Sequence, residues 1–130
     1  MPSAIQRRSF GSLVIYSVDR TLIQRALDDY VKKLQQRPEV ETVVLFGSFN
    51  TDRFGVGSDV DLLVVVRDTP VPFLDRSAHY RPEEFPVDID VFVYTVEEVR
   101  RGQPFARTAL EGGTVLWARE GMDVKALIAG

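Results

Sequence analysis

Two aspartates two positions apart, Asp59 and Asp61, open the apolar run Leu62-Leu-Val-Val-Val66. Alternate side chains of a strand share a face, so these carboxylates sit about 7 Å apart on one side. Paired carboxylates are hard oxygen donors that can clamp divalent cations, and two metals about 3.5–4 Å apart need carboxylates shared between them. A second pair, Asp88 and Asp90, leads into an apolar run ending at Tyr94 and again shares a face. If the two strands are neighbours, three or four carboxylates converge, and such a cluster repels itself unless a cation neutralises it. Gly47-Ser48 ends a third apolar run, Thr42-Val-Val-Leu-Phe46. A glycine lets the backbone approach a ligand and the serine adds a hydroxyl and an N–H, which is the chemistry of a phosphate cradle. The Gly-Lys-Ser/Thr ending of a P-loop is missing.

The elements that must position these residues can be read from periodicity. Residues 42–46 and 60–67 are short, continuously apolar strands expected at the centre of a sheet, and 87–94 is a third strong strand. Leu13–Val18 reads as a further strand, and Thr114–Ala118, after the turn Gly112-Gly113, as the last. Leu22, Ile23, Ala26, Leu27, Tyr30, Val31 and Leu34 recur at three-and-four spacing, which predicts an amphipathic helix capped by Asp19 or Thr21 and stopped by Pro38. Shorter helices are expected over 96–101 and 105–111. Pro70, Pro72, Pro82 and Pro86 predict that 68–86 is mostly loop with at most one helical turn, long enough to suggest a lid. The sum is an α+β fold: a mixed sheet of about four or five strands with helices packed against it, as one domain over 1–130 with its core at about 13–119 and less ordered ends.

Composition narrows the function classes. The 130 residues carry 16 Lys+Arg against 19 Asp+Glu, a formal charge of −3, which disfavours a broad grip on nucleic acid or anionic lipid. Without cysteine there are no disulfides, no thiolate metal sites and no Cys nucleophile, in keeping with a reducing cytoplasm. No run approaches the roughly 18 apolar residues needed to span a membrane.

Gly47-Ser48, ten further residues, then Ser58-Asp59-Val-Asp61-Leu and a distal strand aspartate resemble the polymerase-β-like nucleotidyltransferase superfamily, specifically its minimal nucleotidyltransferases. The likeness runs over roughly 13–119 and includes the Pro72-Phe-Leu-Asp-Arg76 segment, Asp90-Val-Phe-Val-Tyr-Thr-Val-Glu-Glu98 and Gln103-Pro-Phe…Glu111-Gly…Val-Leu-Trp117. The resemblance implies a palm-type sheet in which Gly47 and Ser48, with Ser58, bind the nucleotide. Asp59, Asp61 and Asp90 would hold Mg2+ or Mn2+ and do the catalysis. Asp90 is preferred to Asp88 because it directly precedes the apolar run and the Thr-x-Glu-Glu-like segment. Ser58 equally suits capping the turn before Asp59. Two positions depart from the family pattern: Asn50 and Asp52 stand where a small residue and a glycine are usual, and an acid at 52 needs Arg53 or a metal beside a triphosphate.

What the resemblance implies for activity is transfer of NMP, with ATP the expected donor, to an acceptor hydroxyl, with release of pyrophosphate. A domain of this size leaves little room for an acceptor pocket, so the acceptor is expected on a partner protein, a small helical HEPN-type protein being the expectation. A homo-oligomer and nucleic acid remain open as partners. The rival reading is an antitoxin-like binding module of a toxin–antitoxin pair with weak or no activity. Arg76 has two readings, a phosphate ligand or a surface ion pair, and the lone His79 is assigned no role.

Overall fold

The computed structural model describes residues 3–51 and 59–129. Along the chain run β1 (Ile5–Phe10), β2 (Leu13–Val18), α1 (Arg20–Gln35), β3 (Val40–Phe46), a 3-10 turn (Ser48–Asn50) and β4 (Val60–Val66). After these come α2 (Phe73–Tyr80), β5 (Ile89–Thr95), α3 (Val96–Arg100), α4 (Pro104–Gly112), β6 (Thr114–Ala118) and α5 (Val124–Ala129). Four strands make the main sheet in the order β5-β4-β3-β6, while β1 and β2 form a separate antiparallel hairpin. The α+β expectation holds, with β3 and β4 as the central pair.

The sheet is mixed because β3 runs antiparallel to both β4 and β6, whereas β4 and β5 are parallel. A parallel pair needs a crossover, and residues 67–88 supply it. Here the structure corrects the sequence reading in part: 68–86 holds not one helical turn but the eight-residue helix α2. The four prolines misled. Pro72 stands at the helix N-cap and the next proline, Pro82, lies beyond the C-cap, so residues 73–80 are proline-free. Two more elements lie outside the expected 13–119 core, β1 and α5. In β1 all six residues are exposed, so no apolar alternation marked it.

Alternation along the strands divides the core into two layers. Val60, Leu62, Val64 and Val66 of β4 and Ile89, Val91 and Val93 of β5 pack with Ile23, Leu27, Tyr30, Val31 and Leu34 of α1. Leu63, Val65 and Tyr94 pack on the other face against Val99, Ala106, Ala109, Leu110 and Leu127 of α3, α4 and α5. Helix α1 begins where Asp19 accepts from the Leu22 N–H at 3.0 Å and ends before Pro38, as its spacing requires. The buried stripe of α1 closes one side, so the odd-numbered positions of β4 and the even-numbered positions of β5 are those left facing the helices α3 to α5.

Candidate active site

The site forms where one strand ends and two begin. Because β3 is antiparallel to β4, its last residue, Phe46, pairs with Asp61, and because β4 is parallel to β5, Asp61 pairs in turn with Asp90. Gly47, Asp61 and Asp90 therefore line up across three adjacent strands at one end of the sheet. Parity puts Asp61 on the face of Leu63 and Val65, and Asp90 on the face of Phe92 and Tyr94. Asp59 stands just before β4 with its carboxyl beside that of Asp90.

Electrostatics show the same crowding. Burial raises the Asp59 carboxyl above its ordinary value, and the hydrogen bond and charge of Asp90 add to the rise. Burial likewise raises Asp61, followed by repulsion from Asp90 and then Asp59. Each effect disfavours a charged form that a cation would favour. By chemistry alone, three carboxylates with no nitrogen or sulfur are the donor types a hard divalent cation prefers. Among the described residues no group of three His, Cys, Asp or Glu side chains is placed so that it could hold a metal ion as it stands. The three share a patch in which Asp59 lies beside Asp90 and the Asp61 carboxylate lies against Gly47.

Gly47 is required by its surroundings. Its φ is +76°, in the left-handed region, and a Cβ there would land on Asp61 Oδ2 and lie 3.2 Å from Asp61 Cγ. The missing side chain is thus the space the Asp61 carboxylate occupies. After it, Ser48–Asn50 makes one 3-10 turn, with the Asn50 N–H on the Gly47 carbonyl at 3.2 Å and the Thr51 N–H on the Ser48 carbonyl at 3.1 Å. Phe49 is buried beneath the turn. Arg20 donates to the Phe49 carbonyl at 3.1 Å, with its guanidinium 4.5 Å from the Phe49 ring centre.

The structure thus brings together Gly47, Ser48, Asp59, Asp61 and Asp90. Asp88 is exposed ahead of β5, and its backbone carbonyl accepts from the Val60 N–H at 2.9 Å, so of the second acidic pair only Asp90 is in register with Asp61. Ser58, Asp52 and Arg53 lie outside the described residues. Arg76 is held in the scaffold: it pairs with Glu98 at 2.7 Å and donates to the Val71 carbonyl at 3.1 Å. Sequence reasoning missed the contacts of Asn50 with Thr114 and Gly112, partners more than sixty residues away for which a single chain carries no signal.

Residues 27–85 match the family model of the nucleotidyltransferase domain. That segment includes Gly47, Ser48, Asp59 and Asp61 and stops short of Asp90. A crystal structure of a protein assigned as a nucleotidyltransferase from Sulfolobus solfataricus is similar with a TM-score of 0.56 at 20% identity, over 78% of this chain and 86% of that one. At such identity the likeness speaks for the fold. A nucleotidyltransferase-like protein from Exiguobacterium sibiricum 255-15 aligns with a TM-score of 0.48 at 16% identity, over 85% of this chain and 37% of that one. No curated protein matches the chain. The matched segment covers less than half of the chain; over it the sequence is similar to the nucleotidyltransferase domain, as the Gly-Ser and Asp-x-Asp spacing led one to expect, and the structural likeness shows a shared fold.

Proposed function

We propose that this protein transfers AMP from ATP to a hydroxyl on a partner protein, using a divalent cation held by Asp59, Asp61 and Asp90. The observation that carries the reading is the alignment of Gly47, Asp61 and Asp90 across three strands, with the cradle residue in contact with the acidic patch. Mg2+ or Mn2+ bound there would neutralise the triphosphate and the carboxylates and polarise the α-phosphate. The Ser48 hydroxyl would donate to the phosphates beside Gly47. Asp90, the most exposed of the three carboxyls, faces an incoming acceptor and takes its proton as the hydroxyl oxygen bonds to the α-phosphorus. The bond from that phosphorus to the bridging oxygen breaks, and pyrophosphate leaves in line.

A protein acceptor is supported by the exposure of Asp90 at the end of the sheet. The proposal includes one domain over 1–130 and a reducing cytoplasm, in keeping with the absence of cysteine. Among the described residues no helix is long and apolar enough to cross a membrane. The test is incubation with labelled ATP, Mg2+ and the product of the neighbouring reading frame, followed by mass spectrometry. A mass gain of AMP units on the neighbour, absent with Asp61→Asn, is the expected result. An unmodified neighbour in a stable complex that survives Asp61→Asn would favour the antitoxin-like binding module instead.

A further inference from the structure

The turn that follows Gly47 is fastened by groups on a distant part of the chain. Thr114, the first residue of β6, donates from Oγ1 to Asn50 Oδ1 at 2.6 Å, and Asn50 Nδ2 donates to the Gly112 carbonyl at 3.5 Å. The base of this contact is fixed. Between the two partners lies Gly113, where a Cβ would come within 2.5 Å of the Ala109 carbonyl oxygen and of Val44 Cγ1 and 2.8 Å from the Leu45 carbonyl oxygen. The end of α4 is therefore pressed against β3 with no slack, and Thr114 pairs with Leu45, two residues before Gly47. From the opposite side Arg20 holds the Phe49 carbonyl and lies over the Phe49 ring.

We propose that Asn50 and Thr114 are positioning residues for nucleotide binding, a side-chain clamp that sets where the Gly47-Ser48 backbone and the Ser48 hydroxyl stand relative to Asp61. The inference rests on the nucleotide reading above and adds the residues that hold the cradle in place. A three-residue 3-10 turn has poor hydrogen-bond geometry of its own and needs outside contacts to keep one conformation. Asn50 supplies one from its side chain, in a place where the family pattern has a residue too small to reach β6. Because the Asn50–Thr114 hydrogen bond is solvent-exposed, its contribution to global stability is small, and its effect falls on the geometry of the turn.

The experiment compares wild type with Asn50→Ala, Thr114→Val, Thr114→Ser and the Asn50→Ala/Thr114→Val double variant. Titration with Mg2+·ATP is run beside amide hydrogen exchange of the peptide spanning 47–51. Asn50→Ala and Thr114→Val should each weaken nucleotide binding about three- to tenfold and speed exchange in that peptide, while the melting temperature stays close to wild type. Thr114→Ser keeps the hydroxyl and should restore both, and the double variant should be no worse than either single one. Equal affinity and equal exchange in all variants would overturn the clamp, and so would faster exchange with unchanged affinity. A wild type that binds no nucleotide defeats the nucleotide reading instead, and the exchange of 47–51 then decides alone whether the clamp exists.

Discussion

At Gly47 two constraints coincide: a left-handed backbone and a carboxylate where a Cβ would go. Gly47→Ala should therefore act on Asp61 although residue 47 offers no ligand atom. The methyl group must push the Asp61 carboxylate aside or strain the turn, at a cost of about 1–3 kcal/mol. The expected result is the loss of any Mn2+-induced rise in melting temperature, measured by thermal denaturation with and without Mn2+. Asp61→Asn should lose the same response with the opposite effect on the metal-free protein. A carboxyl whose folded-state pKa is raised adds stability at low pH that disappears as pH rises through that value. At neutral pH the Asp61 charge faces Asp90 and Asp59, so removing it should leave the metal-free melting temperature unchanged or higher. A metal-free Asp61→Asn that melts well below wild type would contradict the repulsion.

Among the elements, α3 shows how a five-residue helix is kept in place. Thr95 accepts from the Glu98 N–H at 3.2 Å while Glu98 Oε1 accepts from the Thr95 N–H at 2.7 Å, a reciprocal cap, and the same carboxylate pairs with Arg76 of α2 at 2.7 Å. Burial pushes Glu98 up, but the Thr95 contacts and Arg76 outweigh it and hold the carboxyl below its ordinary value of 4.5. The sign then follows: the stabilisation is full above that ordinary value and fades as pH falls through the depressed one. Glu98→Ala should cost about 1–2 kcal/mol at pH 7, and the gap to wild type should narrow in melts taken at progressively lower pH under 4.5. The elements also show what a single sequence makes legible. Strands β3, β4 and β5 announced themselves because burial on both faces requires continuous apolar runs, and the same runs placed Asp61 and Asp90 at their starts. Helix α2 was hidden because prolines flank it, a signal that reads as interruption when it marks ends. β1 was hidden because all six of its residues are exposed, which demands no apolar face. The contact of Asn50 with Thr114 had no trace at all, since a hydrogen bond between residues far apart in the chain imposes no periodicity on either.

On the scale of the whole molecule, the site is built from the strands that hold the core together. Gly47 continues β3, Asp61 lies in β4 and Asp90 in β5, and the three strands carry most of the buried layer against α1 and Val44, Leu63, Val65 and Tyr94 of the other. Opening the sheet anywhere along β3, β4 or β5 therefore dissolves the site, so a ligand that binds only the folded state is coupled to global unfolding and stabilises by RT ln(1 + [L]/Kd). The β1–β2 hairpin stands outside that coupling. It belongs to a separate sheet, among the described residues its strands pair only with each other, and it is tied to the rest at its base, where the Ala4 N–H donates to the Pro86 carbonyl at 2.9 Å and the Asp19 N–H to the Ala4 carbonyl at 2.7 Å. A two-stranded hairpin by itself is marginally stable in water, so its amides should exchange through local opening at low cost. Hydrogen exchange with and without saturating Mg2+·ATP should consequently show new protection across 40–46, 60–66 and 89–95, and none across 5–18. Equal protection of the hairpin would mean that the nucleotide reaches it directly or that hairpin and sheet unfold as one unit, and either result would replace the arrangement argued here.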